Sequence, residues 1–317
     1  MEPRFSIPDT TPRSSKTTIT IGGIEVYIYG LGELQHKSAE HISVLYLAHQ
    51  RTRTYLVTQD MAHEILHRYR GHNKVKRMET IAVTINMRNH GDREIDPMAN
   101  QTWDNRNENH GIDLLSLITG SAQDFKLIAS FLPAYLPQFT THHNVMMGIS
   151  LGGHTAWHLA ALAPGQFEAF IIVVGSPNLA PLLLDRLGVD AAALGVSKEE
   201  AHTISYDRLL EVMDETQRRR WPRALAEFVQ KQDRWADRHF PDVPLLLCAG
   251  EDDTLVPPRY TCAWWDRRVV LRGGQGDSQS MFIQKNTGHS CTKEMVAMIA
   301  DWLVHLNTKR GRDSANM

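Results

Sequence analysis

The chain has 317 residues, of which 42% are hydrophobic and 22% charged, and 34 basic against 36 acidic residues give a net charge of −2. These values are typical of a soluble globular protein and exclude an electrostatic nucleic-acid binder. Its three cysteines are too few and too widely spaced for a disulfide framework or a zinc site, which favours a reducing compartment. Since neither a secretory signal nor an apolar run of membrane-spanning length is visible, we expect a cytoplasmic protein.

Strands and helices are predicted to alternate along the chain. Residues 1–16 hold three prolines and several charges, and we expect a disordered or loosely attached arm. Two β-rich runs flanking Gly22-Gly23 predict a hairpin, and six later apolar runs predict buried strands; the eight runs are 17–21, 24–29, 43–49, 80–87, 144–149, 169–175, 243–249 and 280–285. Helical spacing is found at 58–69, 112–132, 155–163 and 294–306. The helix at 112–132 should end at Pro133.

This alternation predicts an α/β fold with a mostly parallel eight-stranded sheet, flanked by helices and edged by the antiparallel hairpin. We assign residues 17–176 and 243–307 to this core. Residues 308–317 are assigned to a polar C-terminal tail.

A Gly-x-Ser-x-Gly motif at 148–152 joins the fifth predicted strand to the helix that follows it. A serine hydroxyl becomes an effective nucleophile when a tight turn holds it exposed beside a base. Gly148 and Gly152 permit close approach of the neighbouring backbone, and the first helical N–H, on Leu151, would point at a developing oxyanion. The context predicts a nucleophilic Ser150, with a glycine-rich loop as the plain alternative.

A nucleophilic serine needs a base, and the base needs an orienting carboxylate; in this architecture they follow in the order Ser, acid, His. Three carboxylates, at 251–253, come directly after the seventh predicted strand. Asp253, which precedes Leu-Val-Pro, is the preferred acid, with Asp252 as its main rival. His289 lies in a glycine-flanked loop before the last helix and is the predicted base, the alternative being an inert surface histidine.

The second oxyanion donor is expected from the loop that follows the third predicted strand. Gln50 and Arg51 are the candidates, and we favour the backbone N–H of Arg51. His63 and His67 have the spacing of a metal-binding pair but lack an obvious third ligand. No metal and no cofactor are therefore predicted.

The interval 177–242 is too long for a simple crossover between two strands and is mostly helical in pattern. Ser197 begins a capping-box pattern, and helical spacing follows at 206–217 and 224–238. We predict a helical cap inserted into the sheet domain and lying over the active site. An ordinary surface decoration is the alternative.

Three segments resemble the α/β-hydrolase fold superfamily: Gly-Ile-Ser-Leu-Gly-Gly-His at 148–154, Gly-Glu-Asp-Asp-Thr-Leu-Val-Pro at 250–257 and Gly-His-Ser at 288–290. The resemblance extends over about residues 17–306. Met-Arg-Asn-His-Gly at 87–91 is similar to the family's Asp-x-Arg-x-His-Gly signature, with Asn86 in place of the aspartate, and Gln50 stands where relatives usually have glycine. The resemblance implies hydrolysis of an ester, thioester or similar acyl bond without a cofactor.

We therefore predict a carboxylesterase-like serine hydrolase that acts on a small, apolar acyl substrate. In this hypothesis Ser150 attacks, His289 takes its proton and Asp253 stabilises the imidazolium. Two alternatives remain open: a non-hydrolytic enzyme of the same fold, such as a lyase or a cofactor-free peroxidase, and a non-catalytic small-molecule receptor. A homodimer is also left open.

Overall fold

Eight strands form one sheet in the computed structural model, which describes residues 4–35, 40–271 and 278–313. They are β1 Lys16–Ile21, β2 Ile24–Tyr29, β3 His41–Ala48, β4 Glu79–Thr84, β5 Thr141–Ile149, β6 Ala169–Val173, β7 Leu245–Gly250 and β8 Gln279–Gln284. Their order is β1-β2-β4-β3-β5-β6-β7-β8. β2 pairs antiparallel with β1 and β4, and all other neighbours are parallel. The predicted α/β class and its antiparallel edge are confirmed.

Helices cover both faces of the sheet. They are α1 Tyr55–Gly71, α2 His110–Tyr135, α3 Leu151–Leu162, α4 Leu179–Arg186, α5 Tyr206–Leu209, α6 Glu215–Arg220, α7 Arg223–His239, α8 Pro258–Leu271 and α9 Lys293–Asp313. Because side chains of a strand point alternately to opposite faces, β3 places Val44 and Tyr46 in one core and Leu45 and Leu47 in the other. The first core contains α2, α3 and α7, and the second contains α1 and α9. Strands buried on both faces explain the continuous apolar runs in the sequence.

The parallel strands bring several loops to one edge of the sheet. The carboxyl ends of β3, β5, β7 and β8 lie along this edge, because these strands run in the same direction. The segments that follow them contain Gln50 and Arg51, Ser150, Asp253 and His289 respectively. The fold therefore gathers residues that are far apart in sequence, as expected for open parallel sheets.

The N-terminal arm is hydrogen-bonded to the rest of the fold. Thr11 Oγ1 donates a hydrogen bond to the buried carboxylate of Glu64, and Ser14 N–H donates to His63 Nδ1 at 3.0 Å. Phe5 N–H donates to Cys291 O at 2.7 Å. Buried polar groups on α1 require partners, and the arm supplies them. These hydrogen bonds join the described part of the arm, residues 4–16, to α1 and to Cys291, contacts that the sequence did not predict. Residues 1–3 lie outside the described residues.

Two helix ends also differ from prediction. α2 continues through Pro133 to Tyr135, because a proline in the last turn removes only one helical donor, and Leu136 N–H closes the end on Pro133 O. α9 extends to Asp313, so residues 308–313 of the predicted tail are helical. Residues 314–317 lie outside the described residues.

The helix predicted over 206–217 is divided into α5 and α6. The Asp214 side chain accepts from Gln217 N–H at 2.8 Å, while Gln217 Oε1 accepts from Asp214 N–H at 2.9 Å. This reciprocal capping box starts a new helix at 215. The box predicted at Ser197 is followed instead by a single short 3₁₀ turn, Ala201–Thr203.

Candidate active site

Ser150 lies in a strained turn between β5 and α3. Its backbone has φ 56° and ψ −112°, a conformation that residues with a Cβ rarely adopt. A Cβ on Gly148 would lie 1.9 Å from Gly152 O, and one on Gly152 would lie 2.2 Å from Ala48 O. Ser150 N–H donates to Val173 O at 2.9 Å, and Gly152 N–H to His49 O at 3.2 Å. The two glycines are thus required by close backbone approach on both sides of the serine.

Ser150, His289 and Asp253 form a continuous chain of hydrogen bonds. His289 Nε2 lies 2.7 Å from Ser150 Oγ, and His289 Nδ1 lies 2.8 Å from Asp253 Oδ2. The other carboxylate oxygen, Asp253 Oδ1, accepts from the N–H groups of Leu255 and Val256, each at 2.9 Å. Asp253 is 3% exposed. Because its oxygens are already hydrogen-bonded as acceptors, the carboxylate holds the proton of His289 on Nδ1 and leaves Nε2 free to accept from Ser150.

The acid loop and the histidine loop are packed against each other. A Cβ on Gly250 would lie 2.3 Å from Gly288 O, and Asp252 N–H donates to Thr287 O at 2.9 Å. The side chain of Asp252 is exposed, as is that of Glu251. Of the three neighbouring carboxylates, the structure brings Asp253 to the imidazole, whereas Asp252 contributes its backbone.

Leu151 and the loop after β3 adjoin the same turn. Leu151 carries the first N–H of α3, which has no acceptor within the helix. Gln50 and Arg51 directly follow His49, whose carbonyl binds Gly152 N–H. The left-handed residue of this loop is Thr52, with φ 60°. The loop thus takes its left-handed conformation two residues after Gln50.

Two buried histidines hold this loop, and the sequence analysis did not assign them that role. His49 Nε2 accepts from Met87 N–H, and His90 Nε2 accepts from Thr52 N–H, both at 3.0 Å. Each ring then donates its Nδ1 proton to a backbone carbonyl, His49 to Gln50 O and His90 to Arg88 O. Burial lowers the pKa of His49 to about 3 and also lowers the pKa of His90. Both rings are therefore neutral, and each joins two backbone segments by hydrogen bonds from its two nitrogens.

Asn86, which replaces the aspartate of the family signature, links β4 to α1. Its Oδ1 accepts from Tyr55 N–H at 2.9 Å, and its backbone carbonyl accepts from Arg93 Nη1 at 2.9 Å. The next arginine of the signature, Arg88, pairs with Asp124 of α2 through two nitrogens. An amide oxygen accepts an N–H as a carboxylate oxygen does, so asparagine is sufficient for this link.

Three further polar side chains lie around the site. Arg51 Nη1 donates to Asn100 O at 3.0 Å, and Arg186 Nη2 donates to Leu255 O at 2.7 Å. Burial, and secondarily the charge of Arg51, lowers the pKa of Arg186 to about 10. Burial, followed by the charges of both arginines, lowers the pKa of His110 to about 3. No spacing or motif in the sequence singles out Arg186 or His110.

In the described part of the chain, no three His, Cys, Asp or Glu side chains are grouped as metal ligands. Within the same residues, every helix is too short or too polar to cross a membrane.

A model of the alpha/beta hydrolase family matches residues 60–301. Among solved structures, the chain is similar to TT1662 from Thermus thermophilus, with a TM-score of 0.62 and 15% identity over 93% of this chain and 99% of that one. It is also similar to an esterase from Pyrococcus furiosus, with a TM-score of 0.52 and 14% identity over 96% of this chain and 98% of that one. For an epoxide hydrolase from Vigna radiata the TM-score is 0.52 and the identity 13%, over 94% of this chain and 98% of that one. Identities this low establish a common fold and nothing about the substrate. No curated protein matches the chain. Since the family match covers more than half of its residues, the chain belongs to the alpha/beta hydrolase family.

Proposed function

We propose that the protein is a serine hydrolase that cleaves an ester, thioester or related acyl bond of a small substrate through an acyl-enzyme. The observation that carries the proposal is the chain of hydrogen bonds from Ser150 Oγ through His289 to Asp253, at 2.7 and 2.8 Å. A serine, an imidazole and a buried carboxylate in this order form the arrangement that acyl transfer requires.

The reaction has two halves that use the same groups. As Ser150 Oγ bonds to the substrate carbonyl carbon, its proton passes to His289 Nε2, which then protonates the departing alcohol or thiol. Water next attacks the acyl-enzyme and gives its proton to the same nitrogen, which returns it to Oγ as the acid leaves. Asp253 stabilises the imidazolium in both halves and keeps its own charge throughout.

The oxyanion of each tetrahedral intermediate is assigned to the backbone N–H groups of Leu151 and Arg51, with Gln50 as the alternative second donor. Each donor supplies about 2.7–4 kcal/mol of transition-state stabilisation in sites of this kind. The neutral rings of His49 and His90 support the assignment, because they fix the loop that carries both candidate donors.

We further propose that residues 177–242 are a cap inserted into a core formed by 17–176 and 243–307. Arg186, within this segment, donates to Leu255 O, two residues beyond the proposed catalytic acid. Asp233 of α7 accepts from the N–H groups of Leu179 and Ala180 at the start of α4, so the two helices are fixed to each other. A cytoplasmic location remains a prediction.

Replacement of the nucleophile tests the function. We expect Ser150→Ala to lower kcat on a short-chain 4-nitrophenyl ester by about 10⁶-fold. Circular dichroism and the Tm should remain those of the wild type. Ser116→Ala, at an exposed serine of α2, is the matched control and should keep full turnover. Unchanged turnover in Ser150→Ala would refute the proposal. Quantifying the released acid separates hydrolysis from a lyase or peroxidase reaction.

A further inference from the structure

Two arginines, Arg51 and Arg186, belong to segments that contact the loops of the proposed active site. Arg51 follows β3, next to the loop carbonyl that binds Gly152 N–H. Arg186 ends α4 and binds Leu255 O at 2.7 Å, while Leu255 N–H binds the carboxylate of Asp253. Both arginines are half-buried as whole residues. Their positive charges are close enough to act on each other.

Neither arginine forms an ion pair with a carboxylate of residues 4–35, 40–271 or 278–313. The nearest carboxylates are already engaged. Asp185, the neighbour of Arg186, is bound by Lys198, Arg259 and Tyr260, and Asp253 is bound by His289 and two N–H groups. A partly buried guanidinium that is not directly paired with a carboxylate keeps donors for a ligand, and perturbed charged groups of this kind are concentrated at functional sites.

The surroundings of the two arginines contain polar atoms without partners. His110 is 1% exposed, and its Nε2 has no hydrogen-bond partner among the described residues. Oε1 of the buried Gln50, the residue before Arg51, also has no hydrogen-bond partner among the described residues. Nearly all buried polar atoms in folded proteins are hydrogen-bonded. The amide oxygen can only accept a hydrogen bond, so it would take an N–H or O–H of a polar ligand, and the charge of that ligand is inferred from the two guanidinium groups.

We propose that Arg51 and Arg186 bind an anionic group, a carboxylate or a phosphate-like oxyanion, on the acyl substrate attacked by Ser150. The inference rests on the proposed function and adds the substrate class, an acyl chain with a negative charge at a distance from the scissile bond. The chemistry fits because a guanidinium presents five donors in a rigid fork that matches oxyanions. Each arginine has one nitrogen on a backbone carbonyl, and its other donors remain for the ligand.

Paired substrates of equal length test the proposal. We would compare 4-nitrophenyl hexanoate with the mono-4-nitrophenyl ester of adipic acid, which has the same chain ended by a carboxylate, and with a phosphonate-ended analogue. The wild type should have the higher kcat/KM on an anionic ester, and the preferred end group identifies the anion. Arg186→Gln should lower the ratio of kcat/KM for anionic over neutral ester by about tenfold to a hundredfold. Arg186→Lys should lower it less, because it keeps the charge.

Arg218→Gln is the matched control. Arg218 also lies in the 177–242 segment and also donates to a backbone carbonyl, Leu210 O at 2.7 Å, and this variant should keep the wild-type ratio. If the role of Arg186 were purely structural, Arg186→Gln would lower kcat/KM for both esters together and leave their ratio unchanged. That result would overturn the subsite. Calorimetric titration of adipate monomethyl ester into Ser150→Ala, with and without Arg186→Gln, tests the subsite separately from turnover. Binding that Arg186→Gln does not weaken would also overturn it. Failure of the proposed esterase function alone would not overturn the subsite, because the calorimetric test does not depend on turnover.

Discussion

Asp253→Asn tests the proposed catalytic acid with a substitution that keeps size and shape. The carboxylate has two different tasks. Oδ1 accepts from the N–H groups of Leu255 and Val256, and Oδ2 accepts from His289 Nδ1. An asparagine has one oxygen and one NH₂ group, so it can serve only one of these two sides as an acceptor.

The two orientations of the amide have different consequences. With its oxygen toward the two N–H groups, asparagine presents NH₂ to His289, which must then accept at Nδ1 and carry its proton on Nε2. In that tautomer the ring cannot take the proton of Ser150. The opposite orientation keeps the competent tautomer but leaves the N–H groups of Leu255 and Val256 unsatisfied. Each unsatisfied group costs about 1–3 kcal/mol, so the incompetent orientation is favoured by roughly 2–6 kcal/mol.

This free-energy difference sets the expected loss of activity. Only the minor orientation is competent, so kcat should fall by about 30-fold to 10⁴-fold. The upper end agrees with the loss of about 10⁴ when the same exchange is made in a serine protease triad. The assay is steady-state hydrolysis of a 4-nitrophenyl ester, with the Tm as a check that the variant folds.

The neighbouring carboxylate provides a matched control. Asp252 has an exposed side chain and contributes a backbone N–H to Thr287 O. Asp252→Asn should therefore retain full kcat. A loss of less than about tenfold in Asp253→Asn, or an equal loss in Asp252→Asn, would show that the geometry at His289 does not control the reaction.

Two further predictions concern the scaffold. Gly152→Ala would place a Cβ 2.2 Å from the backbone oxygen of Ala48 and should lower the free energy of unfolding in urea by about 3 kcal/mol. Gly71→Ala, where a Cβ meets nothing within 4 Å, should not lower it, and equal stability of the two variants would contradict the clash. Burial raises the pKa of Asp233 to about 7, although two N–H groups favour its ionised form. Folded protein then keeps a proton that the unfolded chain releases above about pH 4, so stability falls as pH rises to about 7. In Asp233→Asn this pH-dependent contribution to stability should be absent, so the Tm difference between variant and wild type should change with pH. Tm curves that stay parallel as the pH changes would contradict the prediction.

The sheet could be predicted because its signals are local. Strands buried on both faces are continuous apolar runs, and each lies within a few residues of its predicted position. The helices of the 177–242 segment were harder, because short helices are set by capping and tertiary contact more than by periodicity. Asp214 illustrates this: its capping box divides one predicted helix into two. The contacts of the N-terminal arm could not be predicted for a similar reason, since its partners Glu64 and His63 lie about fifty positions away.

The meeting of Ser150, Asp253 and His289 could be anticipated from chain order, because parallel strands deliver their carboxyl ends to one edge. The choice between Asp252 and Asp253 could not be made from order alone. Both follow β7 within three residues, and the structure distinguishes them by the burial of Asp253 and by its hydrogen bonds to His289, Leu255 and Val256.

Arg186 and His110 mark the limit of what the sequence reveals. Each lies in a segment of ordinary charge and polarity, and the hydrogen bond from Arg186 to Leu255 O joins residues 69 positions apart. No local rule connects a cation at the end of α4 with a carbonyl beyond β7, because the contact depends on how α4 packs over the sheet. The proposed nucleophile, Ser150, is held by a backbone turn whose glycines can be recognised in the sequence by their spacing. Selectivity for a substrate depends instead on side chains that the tertiary fold brings together, and it can change by single substitutions that leave every motif intact.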